Sequence, residues 1–432
     1  MNRRQARASL GLVWLVCCLG PAQATDTPTL TLAAVLSQAD AAHPDLDLAL
    51  AQEALSQAEE RLADSLDDFQ VSLEGALATG RNPLFQDRFH PDHQARLVAR
   101  KSLLDGGLAK ASREAAREES RARGLRVMDT RAQRRLALMA RYFDVLLTDM
   151  QYNADMEFLA VSYVDWDNHK ERHALGQIPQ WRLQELESRY QEQRARRDDT
   201  LRKLRESRVR LAVALNRDSP LTEALVDPDL PENDRQLPDL DVLLRHARSH
   251  NPNLLAHTRQ WTAAQARREA VRAESRPTLE LVAQAAAWSR ESNSRDEARL
   301  GLNFVMPLWQ AERTEAKLAR EQARITALRV QQEKLDMQLR EALTSLYEEI
   351  RYLQAGERHS ALTQVRFRDM ALEKAQAEYE MERKANLGAS MAESQMARLR
   401  QRATEYRLAL AWARLEALLG TPFANVDPKN KP

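Results

Sequence analysis

The sequence predicts a mainly α-helical chain with a small β part, built from two similar halves. Charged residues make up 29% of its 432 residues and aromatic residues only 5%, which favours long solvated helices with narrow apolar seams. Two stretches, 69–103 and 278–307, instead alternate between polar and apolar residues as β-strands do. Each half is therefore predicted as helix, β-hairpin, long helix and helix.

An internal repeat supports this division. The segment that starts at Leu30 resembles the one that starts at Leu237, and their prolines, Pro44 and Pro252, are 208 positions apart. After the hairpins, residues 102–105 match residues 307–310 at an offset of 205. We predict a first repeat at 25–217, a linker at 218–238, a second repeat at 239–420 and a tail at 421–432.

Residues 1–24 have the features of a signal peptide. Three arginines precede an apolar stretch at 10–19, and Ala22-Gln23-Ala24 forms a small-x-small cleavage site. Both cysteines of the chain, Cys17 and Cys18, lie inside this segment. Val16 before Cys17 argues against lipid attachment, because a lipoprotein signal has a small residue there. We expect an exported protein that needs no disulfide.

The β part is predicted as two hairpins. Their strands lie at about 69–78 and 94–103 in the first half and at about 278–288 and 298–307 in the second, with a turn from Gly80 to Pro91. One face of each strand is apolar and the other polar. The polar candidates are Glu74, Arg96, Arg100, Glu280, Gln284, Arg299 and Asn303. Lys101 falls on the apolar side, which predicts either snorkelling to an interface or a bulge that shifts the register.

The helices have matched lengths. The long helix from Gly107 to Leu175 would extend about 100 Å, and the shorter helices at 32–68 and 180–216 would match it when laid end to end. Prolines within the first helix of each half predict a short entry helix followed by a new start. Heptad spacing predicts apolar seams in the long helices, at Ala132, Leu136, Met139, Phe143, Leu146 and Met150, and at Leu335, Leu339, Ala342 and Leu346.

Four amphipathic strands of this length suit a membrane-spanning barrel, since about 9–11 tilted residues cross a bilayer. Lipid does not tolerate unpaired sheet edges, and four strands cannot close a barrel by themselves. Several copies must then contribute strands. Two copies give eight strands and three give twelve, and both numbers remain open on this argument. The alternative is a non-channel periplasmic coiled-coil scaffold that uses its hairpins for docking.

Several motifs taken together resemble a known family. They are LTLAAVLSQADAAHPDL from Leu30, SLLDGGLAKASREAA from Ser102, FVMPLWQAERTEAKLA from Phe304 and RLEALLGTP from Arg414. In order and spacing these resemble the TolC-like outer-membrane channels, also called outer membrane efflux proteins, of Gram-negative bacteria. The resemblance implies a homotrimer. Four strands from each chain would form a trimeric 12-stranded outer-membrane β-barrel, which continues as a periplasmic α-helical coiled-coil tunnel. It also implies docking with a periplasmic adaptor protein and an inner-membrane pump.

The resemblance assigns roles to particular residues. Gly106, Gly107 and Pro307 would form the strand-to-helix junctions. The periplasmic tips, which contact the adaptor and gate the duct, would include Gly176, Gln177, Ile178, Pro179, Asn386, Leu387 and Gly388. The sequence departs from the family pattern at three places. Ser102 replaces a proline, Ala311-Glu312 replaces the paired glycines, and Gly388 and Met391 stand where some relatives carry a ring of aspartates.

No chemistry of a catalytic site emerges from the sequence. The mature chain contains no glycine-rich phosphate loop and no nucleophile elbow, and 64 basic and 63 acidic residues are intermixed, which argues against nucleic-acid binding. The pairs His169/His173 and His246/His250 have (i, i+4) spacing, but neither has a third ligand nearby, so we expect solvated helix faces. The expected function is a non-enzymatic exit duct of a tripartite efflux pump or a type I secretion system, without cofactor. The sequence does not indicate the cargo.

Overall fold

The computed structural model describes residues 29–82, 86–289, 296–381 and 386–426. The predicted signal peptide lies outside the described residues, as do the last six residues of the predicted tail and residues 382–385 of the second predicted tip. The described chain is mainly helical with a small β part, which confirms the predicted fold class at that level.

The two halves follow the same plan, with two exceptions. In the first half the elements are β1 (Thr29–Leu30), α1 (Leu32–Ser37), α2 (Pro44–Asp64), β2 (Gln70–Ala76), β3 (Thr79–Asn82), β4 (Gln86–Pro91), β5 (Gln94–Leu104), α3 (Leu108–Ala174) and α4 (Gln180–Ala214). In the second half they are β6 (Ala224–Leu225), α5 (Leu240–His250), α6 (Pro252–Ala273), β7 (Thr278–Trp288), β8 (Ala298–Val305), α7 (Arg313–Tyr352), α8 (Arg358–Glu380) and α9 (Leu387–Leu419). The exceptions are that the first half contains an extra short hairpin (β3 and β4) and that the long helix of the second is divided into α7 and α8.

The prolines start new helices, as the sequence predicts. Pro44 and Pro252 are the first residues of α2 and α6, a position where the missing N–H costs nothing. The residues before them supply the caps. His43 Nδ1 accepts from the Asp45 N–H (3.2 Å), and Asn251 Oδ1 accepts from the Leu254 N–H (2.9 Å).

The long helix of the second half contains a feature that the sequence did not indicate. Between α7 and α8 the chain stays helical but widens into a π-turn at Leu353–Glu357. The buried Leu353 packs inward, and Gln354 Nε2 donates to the carbonyls of Asn233 (3.0 Å) and Arg235 (2.9 Å) in the linker. The π-turn therefore lies where the linker crosses the long helix.

One predicted seam is shifted. In the second half of α7 the buried residues are Leu339, Leu343, Leu346 and Ile350, whereas Ala342 is exposed. The heptad rhythm is the predicted one, but Leu343 occupies the position given to Ala342. The larger side chain buries more apolar surface, which favours its side of the helix. In α3, Met139 and Phe143 are buried as predicted, together with Leu138, Tyr142 and Val145, so that seam is wider than two positions per heptad.

The four long strands form one antiparallel sheet in the order β2-β5-β7-β8. Each half contributes one hairpin, and β5 pairs with β7 to join them. The segment 80–91, predicted as a turn, contains a further two-stranded hairpin, β3 with β4. Gly80 and Pro91 interrupt the alternation of this segment and favour a turn, so the sequence did not indicate the two short strands. These strands pair only with each other.

The two halves contact each other through β1, β6, α3 and α9, in a region that we call the central belt. The linker forms a parallel pair, β1 with β6, and the Tyr142 hydroxyl lies 2.9 Å from the Leu30 carbonyl oxygen and 2.6 Å from that of Val226. Phe143 of α3 stacks on Tyr406 of α9 with ring centroids 4.4 Å apart, and the Tyr406 hydroxyl donates to Asp227 (2.6 Å). Two apolar cores flank this region, and α9 contributes side chains to both.

Both belt tyrosines resist ionisation in the folded chain. Burial raises the pKa of Tyr142 to about 12, and burial together with the Asp227 carboxylate raises the pKa of Tyr406 far above its usual value. In the unfolded chain both phenols would titrate near pH ~10. Their contribution to folding is therefore complete below that pH and is lost as pH rises through it toward the folded-state values.

We predict that the melting temperature falls steeply between about pH 10 and 12 and that Tyr406→Phe makes this fall shallower. The substitution also removes a charge-assisted hydrogen bond and lowers the free energy of unfolding by about 1–2 kcal/mol at neutral pH. Thermal melting followed by circular dichroism over a pH series measures both effects. Tyr379→Phe, at an exposed tyrosine of α8, is the matched control and keeps the wild-type slope. An unchanged slope in Tyr406→Phe would contradict the assignment.

Candidate functional site

The strand register places the seven predicted polar residues on one face of the sheet. Residues directly opposite each other in an antiparallel pair point to the same side. Glu74 is opposite Arg96, and Gln284 is opposite Arg299. Across the joint between the hairpins, Val98 is opposite Gln284. By the same register the remaining members lie on this face, which we call the polar face: Glu74, Arg96, Arg100, Glu280, Gln284, Arg299 and Asn303.

Charges on the polar face are paired in the first hairpin. Glu74 accepts from Arg96 Nη2 at 2.8 Å and from Arg100 Nη2 at 3.3 Å. All three side chains are about one-third to two-fifths exposed, so solvent screens the pairs and their main effect is to hold the arginines in place. The second hairpin adds Arg299 and Glu280 to the same side. The polar face thus offers charges of both signs together with amides.

The other side, which we call the apolar face, exposes large hydrophobic side chains. Leu73 is 77% exposed, Leu300 75% and Phe304 61%. A single copy of the chain leaves this face uncovered, and a contiguous exposed apolar surface marks contact with a membrane or another protein. The sheet therefore has one polar face and one apolar face.

The sheet also has two open edges. β2 and β8 are the outermost strands of the four, and each pairs with only one neighbour among the described residues. An outer strand presents unpaired N–H and C=O groups along its free side. With an apolar face beside them, these edges are a strong template for pairing with further strands.

Lys101 keeps its place on the apolar face. The register of β5 with β7 shifts only between Ser102 and Leu104, beyond the lysine. The sequence predicted either snorkelling or a bulge that shifts the register at Lys101. A bulge is present, but it lies after Lys101 and does not turn its side chain to the polar face. The ammonium group instead lies over the Phe69 ring, 4.8 Å from the ring centroid, at the end of the sheet that leads into the helices.

The first strand-to-helix junction depends on two glycines. Gly106 has φ +68° and Gly107 φ +93°, in the left-handed region that favours glycine. A Cβ at Gly106 would lie 2.6 Å from the Arg276 Cβ. Asp105 completes the turn, since its carboxylate accepts from the N–H groups of Gly107 (2.8 Å) and Ala109. The sequence identified the glycines but not the capping role of Asp105.

The second junction repeats only the first left-handed residue of this bend, and it does so with an alanine. Ala311, 205 positions after Gly106, has φ +50°, and Glu312 is the N-cap of α7 with φ −82°. Pro307 lies in the extended stretch between β8 and this bend. An alanine in the left-handed region costs about 1–2 kcal/mol, so this junction carries strain that the glycine pair avoids.

The first predicted tip is an ordered turn. Gly176 has φ +68°; its N–H donates to the His173 carbonyl (2.8 Å), and the Gln177 N–H donates to that of Arg172 (2.9 Å). This pair of bonds is the Schellman arrangement that ends a helix. Pro179 then caps α4, and Ile178 lies between the two helices.

The described part of the second predicted tip is the start of a helix. Asn386 is the N-cap of α9, but Leu387 and Gly388 already belong to its first turn. A Cβ at Gly388 would lie 2.7 Å from Val161 Cγ2, so this glycine permits close packing of α9 on α3. Helices α3, α4, α8 and α9 line a groove of about 930 Å³ that includes Tyr379 and the start of α9.

The histidine pairs hydrogen-bond within the protein. His246 stacks on His250 with centroids 4.2 Å apart, and its Nε2 lies 2.7 Å from Thr421 Oγ1. Burial, and then the neighbouring His250, lower the pKa of His246. His169 Nδ1 lies 2.6 Å from the Asp165 carbonyl, and His173 Nδ1 lies 3.0 Å from that of Ile178. Among the described residues, no group of three or more potential ligands is arranged to hold a metal ion.

Within the described part of the chain, no helix combines the length and the apolar character needed to cross a membrane.

Comparison with solved structures identifies the fold. No protein-family model and no curated protein sequence matches the chain. The chain is similar to the solved structure of CusC, with 18% identity and a TM-score of 0.72 over 90% of this chain and 92% of that one. It is also similar to the outer membrane protein VceC of Vibrio cholerae (16% identity, TM-score 0.71, 91% and 96% covered). A further similar structure is the open-state MtrE outer membrane channel of Neisseria gonorrhoeae (16%, 0.65, 90% and 89%).

These structures share one architecture with the chain over nearly its whole described length. The chain therefore has the fold of the outer-membrane efflux channels, the TolC-like fold that its motifs suggested. The polar face, the open strand edges and the helix turns at the far end are the parts of that fold on which a function must rest.

The strained junction gives a test in both directions. We predict that Ala311→Gly raises the free energy of unfolding by about 0.5–1 kcal/mol, because glycine adopts a positive φ without steric cost. Gly106→Ala should lower it by about 1–3 kcal/mol, since it adds left-handed strain and a clash with Arg276. Ala316→Gly, one turn into α7, is the control and costs about 1 kcal/mol.

Denaturant titration of the detergent-solubilised protein, followed by circular dichroism, provides these free energies. If Ala311→Gly destabilises as much as Ala316→Gly does, then the second junction is not strained.

Proposed function

We propose that the chain is the outer-membrane exit duct of a tripartite efflux pump or a type I secretion system. In this proposal the duct is passive, and an inner-membrane pump supplies the transport energy. A periplasmic adaptor protein and the pump engage the helical tips and open them. No catalytic role is assigned to the chain.

The observation that carries the proposal is the open, two-faced sheet. Its strands contain 7 to 11 residues, about the number that crosses a bilayer when tilted. In lipid each unpaired backbone group costs several kcal/mol, so an isolated four-stranded sheet with free edges is not viable there. In water the exposed apolar face is also unfavourable. Closure with strands from other copies removes both problems.

The proposed closed form contains three copies and twelve strands. Four strands from each copy give a barrel in which the polar face lines the lumen and the apolar face contacts lipid. The number three follows the resemblance to TolC-like channels, because strand arithmetic alone also permits two copies. With this orientation, Glu74, Arg96, Arg100 and their neighbours on the polar face would meet the cargo.

The proposed location is the outer membrane, with the helices extending into the periplasm. Helix α3 has 67 residues and thus runs about 100 Å away from the sheet. Its far end leads into the Gly176–Pro179 turn, and the groove that four helices line includes residues 157–168 in the last part of α3. A groove at the end of the rod, remote from the sheet, suits docking by an adaptor. We place adaptor contact and gating there.

A pair of adjacent substitutions tests the orientation of the sheet. Leu302 lies on the apolar face and Asn303 on the polar face of the same strand. We predict that Leu302→Arg, which places a charge against lipid at a cost of about 2–4 kcal/mol, strongly reduces the assembled protein in the outer membrane. Asn303→Arg, the matched control, should assemble normally, because it adds the same side chain to the water-filled side.

Membrane fractionation followed by electrophoresis without heating measures the assembled protein for both variants. The competing possibility is a periplasmic scaffold with no membrane part. In that case the wild-type chain would be soluble in the periplasm, and the two arginine variants would behave alike.

A further inference from the structure

Three helices lie side by side at the level of the central belt. Helix α9 packs against α3 and also against α7. The linker covers one side of all three helices. Tyr142 of α3, Glu405 of α9 and Gln354 in the π-turn after α7 each form a hydrogen bond to a linker residue, at 2.6, 2.7 and 2.9 Å.

The opposite side of these helices carries a groove of about 540 Å³, which we call the inner groove. Its lining includes Gln133 of α3, Arg414 of α9 and Ser345 of α7. Each of these residues lies nine positions from the linker contact of its own helix. Nine residues are about two and a half helical turns, so the inner groove and the linker lie on opposite sides of the helices.

In the proposed duct the inner groove faces the lumen. A ring of helices has one inward and one outward side, and the passage is clear only if the linker and the short elements beside it lie outside. The uncovered side of α3, α7 and α9 is then the inward side. Each copy would contribute one such groove, so three grooves would surround the path of the cargo.

Most of the inner groove is apolar. Its larger apolar side chains come from all three helices and are Leu136, Leu346, Leu410 and Leu418. Among the described residues that line it, Glu349 is the one carboxylate, and it accepts from Arg407 Nε at 2.8 Å. The charge of this carboxylate is therefore already balanced.

Arg414 is the unbalanced charge of the inner groove. Its side chain is exposed. In the part of the chain that the structure describes, its guanidinium has neither an ion-pair partner nor a hydrogen-bond partner. Five N–H donors in a fixed planar arrangement are thus free to bind an incoming group beside an apolar surface.

The first half of the chain has a paired arginine at the corresponding place. Arg210 of α4 lies 204 positions before Arg414, and the residues that follow them, Leu211 and Leu415, are both completely buried. The two arginines therefore have the same orientation on their helices. Glu206, one turn before Arg210, accepts a hydrogen bond from its guanidinium at 2.5 Å.

In the second half, Leu410 stands at the position of Glu206. This single difference removes the carboxylate that would neutralise Arg414 by an (i, i+4) pair. It also adds apolar surface to the inner groove, because Leu410 is one of its lining residues. The second half thus combines an apolar surface with an unpaired cation, whereas the first half does not.

We infer that the inner groove binds amphipathic monoanions, molecules with a compact apolar body and one carboxylate, sulfate or sulfonate group. The inference rests on the proposed duct and names a class of cargo for it. The apolar body would pack on the leucines, and the oxyanion would accept two parallel hydrogen bonds from Arg414. A volume of about 540 Å³ is typical of sites for drug-sized molecules.

The same features discriminate against other solutes. An amphipathic cation would place its charge against Arg414, and a small inorganic anion would gain no apolar contact. Glu349 does not attract the cation in compensation, because Arg407 already pairs with it. Selectivity therefore requires both the apolar surface and the free guanidinium.

Current block in planar lipid bilayers tests the inference with the full-length protein. Pyrenesulfonate is the amphipathic anion, pyrenylmethylammonium is the matched cation, and methanesulfonate is the anion without an apolar body. We expect pyrenesulfonate to block half of the potassium chloride current at a concentration about tenfold or more below that of either comparison compound. A hydrogen bond to a charged group accounts for a difference of this size.

Two substitutions should remove this preference. Arg414→Gln removes the cation, and Leu410→Glu places a carboxylate one turn before it, as in the first half. Each should raise the half-blocking concentration of pyrenesulfonate by about tenfold, measured relative to the current of the same variant without probe. Arg210→Gln, the matched control, removes an arginine that already has a partner and should keep the wild-type value.

The outcomes separate this inference from the proposed function. Suppose that the wild-type protein conducts but that Arg414→Gln keeps the wild-type half-blocking concentration, or that Arg210→Gln raises it equally. The inner groove then does not select anions, and the duct proposal stands. Equal block by the pyrene cation and by pyrenesulfonate leads to the same conclusion. If the wild-type protein carries no current, both the duct and the inference are overturned.

Discussion

Unpaired strand edges impose the constraint on which the rest of this molecule depends. The four-stranded sheet is flanked by β2 and β8, each with a free side, and it carries an apolar face beside those edges. Neither water nor lipid accommodates such a sheet alone, because water leaves the hydrophobic face exposed and lipid leaves the backbone unsatisfied. In the proposed duct, strands from other copies complete this sheet. The long helices extend from this sheet, and the central belt connects the two halves that supply its strands.

The chain consists of two similar halves, and each contributes two of the four long strands. Each half supplies a long hairpin, a long helical run and three shorter helices, and β5 pairs with β7 to join the two hairpins inside the chain. The halves differ where their joints differ. Gly106 and Asp105 make an unstrained bend at the first junction, whereas Ala311 makes the second with a left-handed backbone.

Much of the fold follows from periodicity in the sequence. The alternating strands, the helix starts at Pro44 and Pro252, and the stop at Gly176 each have a local physical cause that the sequence displays. The constant offsets between repeated motifs also divide the chain into its two halves. What the sequence did not provide depends on contacts between distant residues. The π-turn at Leu353–Glu357 is stabilised by linker carbonyls, and these cannot be anticipated from the helix itself.

The candidate site shows the same division. Strand alternation assigned seven polar residues to one side of the sheet, because parity is a local property. Asp105 as a cap, and Gly388 as a point of close approach to Val161, were missed, because each depends on packing geometry. Asp105 directly before two glycines is a capping signal that could have been used. Gly388 offered no such signal, since a glycine in a helix start has the same sequence whether or not a neighbour lies against it.

The molar mass of the unheated protein, extracted in mild detergent from separated envelope fractions, tests the central claim most directly. We predict that the protein is found in the outer-membrane fraction, that its mass corresponds to three chains, and that heating in detergent converts it to single chains. A monomer found free in the periplasmic fraction, with none in the outer membrane, would contradict the claim.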